Sequence, residues 1–136
     1  MVELLAVITI LSIVAALAAP RVAGFTTQQS LEAAARRIAT DLDFARRNAR
    51  NGSAARTVSF DPITNRYEMA GVSDPNRPAQ DYTVDLSLDP YRAAIVSADF
   101  GGASAITFDG FGTPDSGGTV VVQVGSQQRT VTFDGP

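Results

Sequence analysis

The first twenty residues of the chain read MVELLAVITILSIVAALAAP. After Glu3, the sixteen residues from Leu4 to Ala19 carry no charge, and as a helix they would span about 24 Å at ~1.5 Å per residue. This length is close to that of a bilayer core, so the segment predicts a single membrane-spanning helix. A cleaved signal peptide is the alternative, because an Ala-Leu-Ala-Ala stretch offers a cleavage site, although no basic region precedes it.

Pro20 follows the apolar segment directly and predicts a kink, because proline removes one helical hydrogen bond and clashes with the preceding turn. We expect a bend and not an end, since helical periodicity resumes from Gln28 to Arg50. The apolar stripe of this second half consists of Leu31, Ala35, Ile38, Leu42, Ala45 and Ala49. Its other faces carry the charged residues Glu32, Arg36, Arg37, Asp41, Asp43, Arg46, Arg47 and Arg50. Asn51-Gly52 then predicts the end of the helix.

After Gly52 the pattern changes to short β-branched and aromatic runs separated by Pro, Gly, Asp and Asn, which is typical of antiparallel strands. The predicted strands are Thr57–Phe60, Arg66–Met69, Tyr82–Leu86, Ala93–Ala98, Ala105–Phe108, Thr119–Val124 and Arg129–Phe133. Long loops are expected at 71–80 and 109–118. The predicted fold is α+β: a long N-terminal helix, apolar in its first half and amphipathic in its second, packed on a small antiparallel β-sheet head. The expected segments are a membrane or filament-core helix at 1–20, an amphipathic helix half at 21–52 and a sheet head at 53–136.

The composition excludes several kinds of chemistry. The chain has no cysteine and no histidine, which removes thiol nucleophiles, the commonest general base and most zinc sites. Residues 1–56 hold seven Arg and four acids, whereas residues 57–136 hold four Arg and ten acids, giving net charges of +3 and −6. An acidic head repels phosphate backbones, so we expect no nucleic-acid partner.

The segment 109–118, DGFGTPDSGG, combines two carboxylates with flexible backbone. Asp109 and Asp115 are candidate calcium ligands, but the ligand spacing of an EF-hand is missing, so an ordinary solvated turn is the favoured interpretation. Asp61 and Asp134 precede turns and are interpreted as turn formers. The pairs Arg36-Arg37 and Arg46-Arg47 are interpreted as a solvated helix face, with acidic neighbours or anionic lipid headgroups as the alternative.

An apolar helix broken by a single glutamate, running through a proline into an amphipathic helix on a small antiparallel sheet, resembles the type IV pilin superfamily. The motif that carries the resemblance runs from Met1-Val2-Glu3-Leu4-Leu5 through Ala19-Pro20. The segment Leu42–Ala49 is similar to the second-helix signature of the H-type minor pseudopilins of type II secretion and related minor pilins. The late Phe108-x-x-x-Gly112 pattern and two-stranded end agree with the same subfamily.

The resemblance implies a non-enzymatic minor pseudopilin or minor pilin that assembles into a type II secretion pseudopilus or a type IV pilus. It implies a single-pass inner-membrane protein with a periplasmic or extracellular head, whose partners are other pilin-like subunits and, before assembly, the inner membrane. No cofactor and no small-molecule substrate are expected. The Gly-Phe-Thr cleavage segment and basic leader of the family do not precede Met1 in this sequence, so Met1 is expected at an interior position of the family's pattern.

Glu3 admits two interpretations from its surroundings alone. An acid in an apolar segment costs up to ~3 kcal/mol at a bilayer centre and therefore needs a partner or a protonated state, or else it marks the helix boundary among lipid headgroups. The resemblance implies an assembly role, in which the glutamate pairs with the N-terminal amine of a neighbouring subunit. Ser12 stands where many of these helices carry glycine. Its hydroxyl can bond back to a helix carbonyl, which would allow local loosening of the helix between Ser12 and Pro20.

Three other functions are weighed against this one. A surface adhesin or DNA-uptake minor pilin of the same fold is disfavoured because Arg129 is the only basic residue after Arg92. An anchored periplasmic enzyme would have only unpaired acids for its chemistry. A major pilin often carries a C-terminal cysteine pair, which this sequence does not contain.

Overall fold

The computed structural model describes residues 2–136, with side chains described at all of these positions except 15–25. Helix α1 runs from Val2 to Gly52 and ends at the predicted Asn51-Gly52 signal. The N–H groups of Ser53 and Ala54 bond the carbonyls of Arg50 and Ala49 and close its last turn. Pro20 lies within the helix range but outside the described side chains, so its kink stays a prediction.

Seven antiparallel strands follow the helix: β1 (Arg56–Asp61), β2 (Arg66–Asp74), β3 (Arg77–Asp85), β4 (Ala94–Asp99), β5 (Ala105–Phe108), β6 (Gly118–Val124) and β7 (Gln127–Phe133). Each predicted strand overlaps one observed strand. They form two sheets, ordered β3-β2-β1-β5 and β4-β6-β7. The α+β expectation of a helix on antiparallel strands is therefore confirmed.

The head differs from the expected small sheet because its strands divide between two sheets. Strand β4 pairs with β6 and not with the preceding β3, and the loop after β5 carries the chain from the first sheet to the second. The side chain of Asn65 connects them, because its Oδ1 accepts the N–H of Ile95 on β4 at 2.9 Å. The rings of Phe108 and Phe133 meet edge to face at 5.5 Å and join the last strand of each sheet.

The predicted loop at 71–80 is wrong, because β2 continues to Asp74 and β3 begins at Arg77. The strand continues through Gly71, whose φ of +77° accompanies a register shift between Met69 and Ser73. Glycine adopts this backbone conformation without steric cost, and such irregularities bend a strand without ending it. The proline at position 78 is tolerated because β3 is an edge strand.

The core lies beneath the second half of α1, between the helix and the inward faces of both sheets. All six residues of the predicted stripe, from Leu31 to Ala49, are buried, as is Ala34. Burying a side chain such as Leu42 contributes about 1.5–3 kcal/mol, so the stripe holds the helix on the head. The largest fully buried side chains facing it from the strands are Val58, Tyr67, Met69, Ile106, Phe108, Val120 and Val122.

Candidate functional site

The first thirteen described residues of α1, 2–14, lie outside the core. Every one of them is exposed, and the large apolar side chains among them are between 53% and 81% exposed. They are distributed around the whole helix: Val2, Leu4, Leu5, Val7, Ile8, Ile10, Leu11, Ile13 and Val14. A helix that is apolar on all sides is stable when other helices or lipid surround it. This apolar segment, residues 2–14, is therefore the first candidate interaction surface.

Two polar side chains within the apolar segment are satisfied by the helix itself. The hydroxyl of Thr9 donates to the carbonyl of Leu5 at 2.7 Å, and that of Ser12 donates to the carbonyl of Ile8 at 2.8 Å. Ser12 thus makes the back-bond of which serine is capable in a helix. Because neither hydroxyl needs an outside partner, both can face an apolar neighbour at low cost. Glu3 lies in the first turn of α1 and is exposed.

A buried polar network attaches the second half of α1 to the first sheet. Asp41 is only 6% exposed, and its Oδ2 accepts a hydrogen bond from the hydroxyl of Tyr67 on β2 at 2.5 Å. Arg37, one turn earlier on the helix, donates its Nε to the same oxygen at 2.9 Å. Tyr82 on β3 lies 3.3 Å from Oδ2, and its hydroxyl also accepts a hydrogen bond from Arg37. One carboxylate thus joins the helix to two strands.

The electrostatics of this network favour the protonated tyrosines. Burial raises the pKa of Tyr67 well above its usual range, and the neighbouring Asp41 charge raises it further. Burial and Asp41 raise the pKa of Tyr82 in the same way, although Arg37 acts in the opposite direction. Burial alone would lower the pKa of Arg37, but the Asp41 charge and hydrogen bond outweigh it and raise that pKa. Within the described residues, no buried side-chain nitrogen or oxygen of this network lacks a hydrogen-bond partner, which is typical of a structural network.

The favoured interpretation of Arg37 as part of a solvated helix face is only partly right, because Arg37 is half-buried and pairs with Asp41, which is the acidic-neighbour alternative. Asp41 was expected outside the apolar stripe, whereas the structure buries it. A signal was present, because Asp41 follows Ile38 by three residues and precedes Ala45 by four, which puts it on the apolar stripe. Arg36 and Arg47 do form the expected exposed face, paired with Glu32 and Asp43 one turn away. Glu32 also pairs with Arg129 of β7, which ties the helix to the second sheet.

The 109–118 segment is an ordered turn. The carboxylates of both candidate calcium ligands, Asp109 and Asp115, accept hydrogen bonds from backbone N–H groups there. Oδ1 of Asp109 accepts the N–H groups of Phe111 and Thr113, each at 2.9 Å. Oδ1 of Asp115 accepts the N–H of Thr107 at 3.1 Å. Over the described part of the chain, no group of three or more His, Cys, Asp or Glu is placed to hold a metal ion. The favoured interpretation as a turn accounts for the hydrogen bonds of both aspartates, and calcium binding stays the disfavoured alternative.

Helix α1 clamps this turn against its own C-terminal end. The Nε of Arg46 donates to the carbonyl of Gly112 at 3.1 Å, and the Nε of Arg50 donates to the carbonyl of Phe111 at 3.2 Å. A Cβ on Gly110 would lie 2.9 Å from the carbonyl carbon of Ser53, so only glycine allows this close approach. Gly112 has a φ of +79°, which also favours glycine. The clamped loop, residues 109–115, is thus fixed in place at the end of the helix.

Other aspartates lie in a turn and along an open groove. Asp61 forms a turn as predicted, accepting the N–H of Ile63 at 2.9 Å and the hydroxyl of Thr64 at 2.8 Å, bonds that lower its pKa. An open groove of about 510 Å³ follows the outer face of the first sheet and includes Glu68, Asp74 and Asp81. In the described residues, no buried side-chain nitrogen or oxygen lacks a hydrogen-bond partner.

No described helical stretch combines the length and the hydropathy needed to cross a membrane.

Comparisons with known proteins agree with this architecture. The model of the GspH family, described as type II transport protein GspH, matches residues 34–135. The crystal structure of the type IV minor pilin FimU of Pseudomonas aeruginosa superposes with a TM-score of 0.59 at 18% identity, covering 81% of this chain and 86% of that one. At this identity the likeness shows a shared fold. No curated protein matches the chain significantly in sequence. Since the family match extends from the amphipathic half of α1 to the end of β7, the chain belongs to the GspH family of type II transport proteins.

Proposed function

We propose that this chain is a non-enzymatic minor pseudopilin or minor pilin that joins a filament by packing its apolar segment against the helices of other pilin-like subunits. Membership in the GspH family and the pilin-like fold support the subunit class. Neither comparison favours an adhesin, a DNA-uptake pilin or an anchored enzyme. The filament is a type II secretion pseudopilus or a type IV pilus.

The observation that carries the proposal is the division of α1 into two environments. From Leu31 to Ala49 the apolar stripe is buried on the head, whereas residues 2–14 bury none of their side chains. Each large apolar side chain that becomes buried contributes about 1.5–3 kcal/mol, so the apolar segment strongly favours an apolar environment outside its own head. Neighbouring helices in a filament core provide such an environment.

Before assembly, the proposal places the apolar segment in the inner membrane and the head in the periplasm. Lipid provides the same apolar surroundings as a filament core, so a subunit could move from one to the other without exposing the segment to water. Glu3 distinguishes the two states in this proposal. Its carboxylate pairs with the N-terminal amine of a neighbouring subunit in the filament, an attraction that is stronger where water is excluded.

The test replaces the carboxylate while keeping the segment apolar. Glu3→Leu is expected to insert in the membrane as the wild type does and to be incorporated into filaments at less than about a tenth of the wild-type level. Removing one partner of a buried charge pair leaves the other charge uncompensated, which costs about 3–5 kcal/mol. Thr9→Leu is the matched control, because it replaces another polar residue of the same segment, one that is satisfied internally. Membrane fractionation measures insertion, and co-purification with sheared filaments measures incorporation.

The outcomes separate the parts of the proposal. Normal incorporation of Glu3→Leu would reject the role of Glu3 in assembly. Absence of the wild-type chain from filaments, with normal expression, would reject the subunit function itself. If Glu3→Leu and Thr9→Leu lowered incorporation into filaments equally, the shape of the segment, and not the carboxylate, would control assembly.

A further inference from the structure

Three connections between strands meet at the end of the head where α1 enters it: 62–65, 86–93 and 125–126. Thr27 of the helix lines one groove together with Pro90 and with Val124, which precedes the last of these connections. The first and second connections are joined by a hydrogen bond, in which the N–H of Leu86 donates to the carbonyl of Asn65 at 2.9 Å. We call the three connections the helix-entry end of the head.

The direction of β1 agrees with this placement of the β1–β2 turn. Arg56, at the start of β1, donates its Nε to Oδ1 of Asn48 at 2.8 Å. Tyr67 pairs with Phe60 near the other end of β1 and bonds Asp41, which lies earlier on the helix. Strand β1 therefore runs back along α1 towards the part of the helix that enters the head, and the turn at 62–65 follows at that end.

Two bare aliphatic side chains belong to the helix-entry end. Ile63 is 91% exposed and Leu88 is 62% exposed, which makes them the most exposed large aliphatic side chains among residues 53–136. The backbone of both is ordered, because Asp61 accepts the N–H of Ile63 and the carbonyl of Leu88 accepts the N–H of Tyr91. Isolated exposed aliphatic side chains are common on protein surfaces. These two, however, share the end of the head that is nearest to the apolar segment along the chain.

The helix-entry end carries no net charge. The charged residues of the three connections are Asp89 and Arg92, and they form an ion pair with each other. At the ends of the flanking strands, Asp85 pairs with Arg66, and Asp61 accepts the hydroxyl of Thr64 at 2.8 Å. A surface of this kind binds lipid through its apolar side chains and does not depend on attraction to anionic headgroups.

The length of chain between the apolar sequence and the head limits how far this end can lie from a membrane. Helix α1 is continuous from Val2 to Gly52, and Thr27 follows Ala19 by eight positions. Eight residues correspond to about 12 Å along a helix at ~1.5 Å per residue. The headgroup region occupies about 5–7 Å of that distance on each side of the hydrocarbon core. The remaining gap is about the length of one side chain, and helix tilt narrows it further.

We infer that the helix-entry end rests on the lipid surface before assembly, with Ile63 and Leu88 inserted among the headgroups. The inference rests on the proposed function, which places the apolar segment in the inner membrane, and it gives the stored subunit a second contact with lipid. Lipid is the occupant because the chain itself brings this end to the bilayer surface. Two side chains hold the head only weakly, so the contact is released when the apolar segment leaves the membrane for a filament.

The chain has no cysteine, so a single introduced thiol can carry an environment-sensitive fluorophore at a chosen site. Ser126→Cys reports on the helix-entry end without replacing Ile63 or Leu88. Phe111→Cys is the matched control, because Phe111 is 83% exposed and lies in the loop that packs on the opposite end of α1. Ile8→Cys reports on the apolar segment. The labelled full chains are reconstituted in phosphatidylcholine vesicles that carry nitroxides either on the headgroups or on the acyl chains.

We expect headgroup nitroxides to quench the label of Ser126→Cys strongly and that of Phe111→Cys hardly at all, while acyl-chain nitroxides quench Ile8→Cys. Combining Ile63→Ser with Leu88→Ser should remove most of the quenching at position 126 and shift its emission to longer wavelength. The melting temperature should not change, because both side chains are exposed. Phosphatidylglycerol in the vesicles should not strengthen the quenching, since the three connections carry no net charge.

Equal headgroup quenching of Ser126→Cys and Phe111→Cys, with Ile8→Cys quenched by the acyl chains, would overturn the lipid contact while leaving the proposed function intact. Quenching at position 126 that survives the double serine variant would overturn it too, because the helix tether alone would then explain the proximity. Emission at short wavelength from position 126 without nitroxide quenching would show that protein covers this end, which also contradicts the inference. If acyl-chain nitroxides failed to quench Ile8→Cys, the membrane stage of the proposed function would be rejected together with the inference.

Discussion

The hydroxyl of Tyr67 donates a 2.5 Å hydrogen bond to the buried carboxylate of Asp41, and this bond joins α1 to an interior strand of the first sheet. The apolar stripe alone could accommodate small rotations of the helix, because packing between apolar side chains is not directional. A hydrogen bond to a buried carboxylate is directional and costly to leave unmade. The Asp41–Tyr67 pair therefore restricts the rotation of the second half of α1 on the head.

We expect Tyr67→Phe to lower the free energy of unfolding by about 1–3 kcal/mol, because Asp41 loses a hydrogen-bond donor while staying buried. Urea unfolding of the detergent-solubilised full chain, followed by circular dichroism, measures the change. Tyr91→Phe is the control, since Tyr91 is only partly buried. Equal stability of the wild type and Tyr67→Phe would contradict the importance given to this bond.

Asp41→Ala should be more harmful, with a loss of about 3–5 kcal/mol, because it removes the acceptor shared by Tyr67 and Arg37. Asp43→Ala, two residues along the same helix, removes a carboxylate that pairs only with the exposed Arg47 and should cost at most about 1 kcal/mol. Thermal melts of the two variants make the comparison. Similar losses of stability in Asp41→Ala and Asp43→Ala would show that the stabilising effect of Asp41 does not come from its burial.

The head should lose stability above about pH 10, where unperturbed tyrosines begin to ionise. Burial raises the pKa of Tyr67, so the folded protein retains a proton that the unfolded chain releases. The stabilisation is fully present below the unfolded pKa and falls as pH rises through and above it. Melting temperatures between pH 8 and 11.5 should therefore decline less steeply in Tyr67→Phe than in the wild type. If the melting temperatures of both proteins fell equally with pH, the loss of stability at alkaline pH would come from other residues.

Gly110→Ala should detach the clamped loop from the end of α1, since the new Cβ would lie 2.9 Å from backbone of Ser53. Overpacking of this kind costs about 1–3 kcal/mol. Gly102→Ala is a control for backbone strain without crowding, because Gly102 has a φ of +95° and no atom within 4 Å of a built Cβ. Limited proteolysis between residues 109 and 115 should accelerate only in Gly110→Ala. If the loop of Gly110→Ala resisted proteolysis as the wild-type loop does, the backbone at Ser53 would be able to move enough to accept the new Cβ.

Periodicity predicted α1 and its stripe well, because a helix buried on one face must repeat its apolar residues every three or four positions. It did not reveal the burial of Asp41, because periodicity does not show that a distant strand offers this carboxylate a hydrogen-bond donor. It failed at 71–80, where glycine, proline and aspartate resembled a loop but Gly71 let the strand continue. The Asp109 turn was predicted from composition, whereas its attachment to Arg46 and Arg50 depends on residues more than sixty positions away.

By itself, the sequence determined the long helix, its two chemically different halves, the approximate strands and the acidic character of the head, because each of these follows from local composition and spacing. Only the tertiary structure decided that the strands form two sheets, that Asp41 is the buried link between helix and sheet, and that Ile63 and Leu88 are exposed at the end of the head where the helix enters. The physical reason is that pairing, burial and exposure depend on which distant residues meet, and spacing along the chain does not encode that directly.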